Sequence, residues 1–177
     1  MPAKVDSPNE QFMRMAIAKT SSGIDAGQFP YGATIVRDGE VIACEHNVVH
    51  KSGDPTMHAE VHAIRKACKK LGTADLGGCE IYCTCEPCAM CMGACYWAHI
   101  SKIYFGAGIE DKDAFKLKDL GIGAWALRKQ AGAPKVERHS LRAECVALFE
   151  QFVKRASSAG PAASEPPVGK PGVRRRR

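Results

Sequence analysis

The sequence predicts an α/β protein, a three-layer α/β/α sandwich built on a mixed five-stranded sheet. Three observations carry this prediction. Short apolar runs alternate with longer segments of helical periodicity. The first two runs flank an Asp-Gly pair, Asp38-Gly39, which joins them as an antiparallel hairpin. The later runs are separated by helix-length segments, which demand parallel crossovers, so the sheet is of mixed sense with helices on both faces. A length of 177 residues, 45% of them apolar, fits one domain. No run approaches the ~20 apolar residues of a membrane span, and the N-terminus lacks the ~7 to 15 apolar residues of a secretion signal. A cytoplasmic protein with no membrane association is expected.

The elements follow in order. Residues 9–26 place Phe12, Met15, Ala16 and Lys19 at helical spacing, with Ser7 positioned to cap the helix ahead of Glu10. Residues 33–36 and 41–43 are the hairpin strands. Residues 58–71 carry Val61, Ile64, Ala67, Cys68 and Leu71 on one face and stop at Gly72, which reads as a second helix. A strand at 80–84, a helix at 88–98 and a strand at 102–105 come next. Residues 113–130 read as mostly helical with interruptions at Gly121 and Gly123, residues 135–138 as a fifth strand, and residues 141–155 as a closing amphipathic helix.

The net charge of +6 is unevenly distributed. Residues 156–177 hold Lys170 and four arginines at 174–177 against Glu165, so they supply +4 and leave +2 to the first 155 residues. That segment has four prolines and almost no large apolar side chain, the composition of a disordered basic tail. The domain is therefore placed at 1–155 and the tail at 156–177. Nine cysteines, an odd number with five of them between positions 83 and 95, argue against a secreted disulfide framework and for reduced thiols or a metal site.

The chemistry concentrates in His58-Ala59-Glu60 and in Pro87-Cys88-Ala89-Met90-Cys91. One His and two Cys are three ligands of the softness that Zn2+ prefers, and three rather than four leaves a coordination position for water. Both cysteines belong to the first turn of a predicted helix, whose free N–H groups favour the thiolate. Glu60, two residues after the histidine, is placed to move a proton without serving as a ligand. Cys85-Glu86-Pro87-Cys88 is a second C-x-x-C, so a structural four-cysteine site or a redox pair stays open. His62 follows His58 by four residues but lacks the directly adjacent Glu of the metalloprotease pattern, so it reads as an ordinary helix residue.

H-x-E followed by P-C-x-x-C is the signature of zinc nucleobase deaminases. With Asn47, the run Asp54-Pro55-Thr56-Met57 before His58, Ala63-Ile64-Arg65 and Met92-Gly93-Ala94 after Cys91, residues 9–155 resemble the cytidine/deoxycytidylate deaminase superfamily. The branch they resemble holds guanine deaminases, fungal-type cytosine deaminases and tRNA-adenosine deaminases. The resemblance implies a cytidine deaminase-like α/β/α fold, a homodimer, and one catalytic zinc per subunit on His58, Cys88 and Cys91, with Glu60 as proton shuttle. It also implies a hydrolase acting on C–N bonds of amidine-type groups.

Two parts of the chain point to different substrates. Residues 66–71 and Tyr96-Trp97-Ala98 look most like guanine and guanosine deaminases, whose base-binding Asp has a counterpart in Asp119, although Lys116-Leu117-Lys118-Asp119 stands where those enzymes write Gly-Phe-Asp-Asp. Residues 142–155 and the turn at 27–32 instead resemble tRNA-adenosine deaminases. Asn47 offers one acceptor and two donors to a base edge. Tyr31 and Trp97 are candidates to sandwich the ring, and Ala59 joins them as a substrate-binding position. The expected reaction is guanine or guanosine to xanthine or xanthosine plus ammonia. The alternatives are a tRNA-adenosine deaminase, a cytosine deaminase, or a catalytically dead zinc-stabilised RNA-binding or scaffold protein. A charge of only +2 on the folded part favours a small-molecule partner over nucleic acid, because phosphate contacts need clustered cations.

Overall fold

The computed structural model describes residues 8–117 and 121–158. Helix α1 (Pro8–Asp25) opens on a proline, which the first helical position tolerates because its missing N–H has no intrahelical partner. Its buried stripe is Met13, Ala16, Thr20 and Ile24, whereas Met15, expected inward, is 41% exposed. The i, i+3, i+7, i+11 spacing of the observed stripe is the one that keeps to one side of a straight helix. Strands β1 (Gly32–Arg37) and β2 (Glu40–His46) form the predicted hairpin, and Asp38 and Gly39 both take positive φ, as a two-residue hairpin turn requires.

A four-residue helix α2 (Val49–Ser52) occupies what reads in the sequence as loop. Helix α3 (Ala59–Leu71) begins with His58 as its N-cap. It buries Ala59, Glu60, Ala63 and Ala67, while Ile64, Cys68 and Leu71 flank that stripe and Val61 is only half-buried. Then come β3 (Glu80–Cys85), α4 (Ala89–Trp97) and β4 (Lys102–Ala107). The expected helical stretch at 113–130 resolves differently. Helix α5 (Ile109–Ala114) starts earlier, where Asp111 accepts from the Gly108 N–H at 2.9 Å, and it ends before Lys116, which has φ 61°. Only Ala124–Leu127 forms a further turn, α6. Strand β5 (Lys135–Arg138) and helix α7 (Arg142–Ser158) close the chain, the helix running three residues past the predicted domain end at 155. Ser7, Asp119 and residues 159–177, the greater part of the expected tail, lie outside the described residues.

The five strands lie in the order β2-β1-β3-β4-β5, with β1 antiparallel to β2 and β3, and β3, β4 and β5 mutually parallel. This is the mixed sheet the connections demanded. Alternate strand residues feed two cores: Ile35, Ile81, Cys83, Ile103 and Phe105 pack with α3 and α4 on one face, and Val36, Tyr82 and Tyr104 with α1 and α7 on the other. Burying each large side chain of this set contributes about 1.5–3 kcal/mol. Because β2 and β3 run the same way, their carboxyl ends, His46 and Cys85, open on one edge of the sheet, the usual place for a ligand in an α/β fold.

Candidate metal centre and active site

Two helices deliver the candidate ligands to that edge. His58 is the N-cap of α3, Cys88 the N-cap of α4, and Cys91 sits in the first turn of α4. His58 Nδ1 lies 3.7 Å from Cys88 Sγ and 3.6 Å from Cys91 Sγ, and all three ligand atoms fall within 4.8 Å of one another. Zinc–nitrogen and zinc–sulfur bonds of ~2.05 and ~2.3 Å at a tetrahedral angle require an N···S separation of about 3.6 Å. The residues therefore fit the metal in donor type, number and spacing. Of the two thiols, Cys88 is the one held low, at about 4, first by its hydrogen bond with Cys91 and then by His58, while the Cys91 thiol is pushed up by the same bond.

Glu60 stands in the first turn of α3 and is 7% exposed. Burial pushes its carboxyl above the ordinary range, with His58 opposing. Beneath it, burial raises the thiols of Cys83 and Cys95, and all nine cysteines are free. Cys85 packs in the second core, against the α1 and α7 side of the sheet. Among the described residues the only group with metal-ligand spacing is His58, Cys88 and Cys91, so neither a four-cysteine site nor a disulfide pair forms. His62 turns away to the His46 carbonyl at 3.1 Å and to Glu45 at 3.6 Å.

Asn47, 1% exposed, follows the end of β2. Its N–H donates to the Tyr31 carbonyl at 2.9 Å, its Oδ1 accepts from the Val49 N–H at 3.0 Å, and the neighbouring Val48 N–H reaches Met57, next to His58, at 3.1 Å. With the side-chain carbonyl engaged, the planar amide turns its NH2 group the other way, as a donor. The remaining sequence candidates are placed differently from expectation. Tyr31 sits between the two cores, with its ring edge-on to Phe149 at 6.2 Å, and is a packing residue. Trp97 is 78% exposed at the far end of α4, about 9 Å along the helix from Cys91, and its ring meets Tyr96. Tyr31 and Trp97 thus do not form a sandwich: one is held by the core and the other lies at the wrong end of its helix. Ala59 is fully buried, so its methyl packs inward.

The structure also shows a clamp that the sequence did not reveal. Gly123 pairs with Cys88 as an isolated antiparallel bridge, Ala89 N–H donates to Ile122 O at 2.9 Å, and Ala124 N–H to Pro87 O at 2.8 Å. Glu86 Oε1 completes it by accepting from the Trp125 N–H at 2.9 Å. The one sequence signal was a carboxylate inside the Cys85-to-Cys88 spacer; the partner loop has only glycines to mark it.

The cytidine and deoxycytidylate deaminase zinc-binding region matches residues 6–107, a span that contains every residue of the metal group and Glu60. The chain belongs to this family. Guanine deaminase of Bacillus subtilis (strain 168) is 44% identical over 131 residues, covering 73% of the chain and 81% of that enzyme. The tRNA-specific adenosine deaminase of Aquifex aeolicus (strain VF5) is also 44% identical, over 98 residues, 55% of the chain and 65% of that protein. Among solved structures, guanine deaminase from Nitrosomonas europaea superposes with a TM-score of 0.75 at 26% identity, covering 86% of the chain and 87% of that enzyme. A structure from a study of A-to-I editing by tRNA:A34 deaminases superposes at 0.68 with 33% identity, covering 78% of the chain and 98% of its own. This deaminase is accordingly a zinc-dependent hydrolase of C–N bonds. Among the described residues no helix is long and apolar enough to cross a membrane.

Proposed function

We propose that this deaminase converts guanine or guanosine to xanthine or xanthosine with release of ammonia. The observation that carries the choice is the orientation of Asn47, whose NH2 group is presented as a donor because Val49 holds its oxygen. A donor there suits the lactam carbonyl of guanine, and Asp119, assigned on its spacing from Cys91, accepts from a ring N–H. Adenine offers a bare ring nitrogen at the equivalent place, which a carboxylate repels. A site built on hydrogen bonds rejects ligands that leave a buried polar group unpaired.

Zinc, when bound by His58, Cys88 and Cys91, acidifies water toward pKa ~7 and so supplies a nucleophile at neutral pH. Glu60 takes the proton of the attacking water on its buried carboxylate as a C–O bond forms at C2. It delivers that proton to the ring nitrogen beside C2, then takes the second proton of the original water from the new C2–OH group and passes it to the amine as the C–N bond breaks and the C2 carbonyl forms. Burial of Glu60, which raises its carboxyl pKa, favours holding that proton between the two transfers. Asn47 orients the ring.

Incubating the zinc-loaded protein with guanine, guanosine, cytosine, cytidine, adenine, adenosine and an anticodon stem-loop RNA, with ammonia as the readout, tests the proposal. Release from guanine or guanosine is expected. Release confined to cytosine, or to the RNA, would overturn the substrate.

A further inference from the structure

We propose that Arg128 and Arg138 form a phosphate-binding subsite on the rim of the active site, so that the site also accepts the purine as a nucleoside monophosphate. The inference rests on the purine reading above and names the form in which the substrate is presented. Trp125 is its centre. The Arg128 guanidinium carbon lies 3.7 Å from the Trp125 ring centroid and that of Arg138 lies 4.3 Å from it, both well inside cation–π range. Two like charges are thereby gathered on one indole. Among the described residues neither guanidinium has a carboxylate partner: Arg128 donates to the Trp125 carbonyl, and the Arg138 guanidinium lies over the ring.

The carboxylates close by in sequence or space are engaged elsewhere. Glu137 pairs with Lys102 at 2.6 Å. Alternation along β5 explains this, since Val136 and Arg138 share the face that packs with the first core and Glu137 takes the other. Glu86 is half-buried, and its Oε1 accepts from the Trp125 N–H. Residues 121–138 hold Arg128, Lys129, Lys135 and Arg138 against Glu137, a net +3, whereas the first 155 residues together carry +2. This segment is thus one of two basic stretches of the folded part, the other being Arg65, Lys66, Lys69 and Lys70 on α3.

That segment is joined to the metal centre. Gly123 bridges to Cys88, and Arg128 follows at the end of the four-residue helix α6, about 6 Å long. Arg138 ends β5 at the same sheet edge to which the parallel strand β3 delivers Cys85. Paired guanidiniums suit one phosphate group, which accepts two-pronged hydrogen bonds from each. An RNA strand would instead need a track of cations along the surface.

The protein has two tryptophans, so Trp97→Phe leaves Trp125 as the sole indole reporter. In that background, fluorescence titrations with inorganic phosphate, guanosine and guanosine monophosphate read the subsite without turnover. Saturable responses to phosphate and the monophosphate are expected, with the monophosphate binding about tenfold or more tighter than guanosine. Arg138→Gln, at an exposed side chain, should erase that difference and the phosphate response while leaving guanine turnover within about twofold and the circular dichroism spectrum unchanged. Equal affinity for guanosine and its monophosphate, or a phosphate response that survives both Arg128→Gln and Arg138→Gln, would overturn the subsite. So would an anticodon stem-loop RNA that binds far tighter than the monophosphate and loses affinity steeply with salt, since that marks a strand. A phosphate response in a protein that releases no ammonia from any purine would refute the purine reading and leave the subsite standing.

Discussion

Adding one methyl group at Gly123 should loosen the metal centre as a whole. The residue has φ −123° and ψ −176°, an extended conformation that alanine adopts without strain, so the cost is steric alone. A Cβ there would lie 2.3 Å from Glu86 Oε1, 2.8 Å from Glu86 Cδ and 2.7 Å from Ile109 Cδ1. Glu86 cannot swing aside freely, because its Oε1 holds the Trp125 N–H, a bond whose loss costs about 1 kcal/mol. Overpacking of this kind costs about 1–3 kcal/mol, which at a urea dependence of about 2 kcal/mol per molar moves the unfolding midpoint down by roughly 0.5–1.5 M. Zinc should also pass to a chelator faster, since the displaced strand is the one paired to Cys88 and Ala89. Gly93→Ala is the matched control: it lies inside α4 with nothing within 4 Å of the added carbon, and should stabilise by about 0.5–1 kcal/mol. If Gly123→Ala unfolds at the wild-type midpoint and keeps its zinc as firmly, the clamp does not support the site.

Two further outcomes follow from the same geometry. Purified protein should hold about one zinc per chain and lose most of it in Cys88→Ser and in Cys91→Ser, by metal analysis; full occupancy in both would move the site elsewhere. The Asp111 carboxyl is partly desolvated, which raises it, but hydrogen bonds from Arg142 and the Gly108 N–H outweigh this and leave it below its ordinary range. A depressed folded pKa stabilises above the unfolded value and loses that contribution as pH falls through the folded one. The stability difference between wild type and Arg142→Ala should therefore shrink on acidification below about pH 4, and a difference constant from pH 7 to pH 2.5 would rule the pairing out.

What could be read in the sequence differs between chemistry and packing. His58, Cys88 and Cys91 were legible because metal coordination admits few residue types, and their spacing survives folding. The hairpin was legible because Asp38-Gly39 names its own turn. Met15 and the 113–130 stretch differ from expectation because helical spacing fits more than one register, and Gly123 in that stretch forms an isolated bridge to Cys88, a non-local contact with no local signature. Trp97 illustrates the same limit: an aromatic a few residues beyond a ligand looks close in sequence, yet the helix carries it to the far end. The guanidiniums on Trp125 come from separate elements, α6 and β5, and only the parallel β4–β5 pairing brings them together.

The most direct test of the mechanism is Glu60→Gln, assayed for zinc content and for ammonia release from guanine and guanosine. Glutamine keeps the size of the side chain and removes the proton-carrying carboxylate. The expected result is zinc at the wild-type level with turnover lower by about 10² to 10⁴. Near-wild-type turnover in the zinc-loaded variant would contradict Glu60 as the proton shuttle.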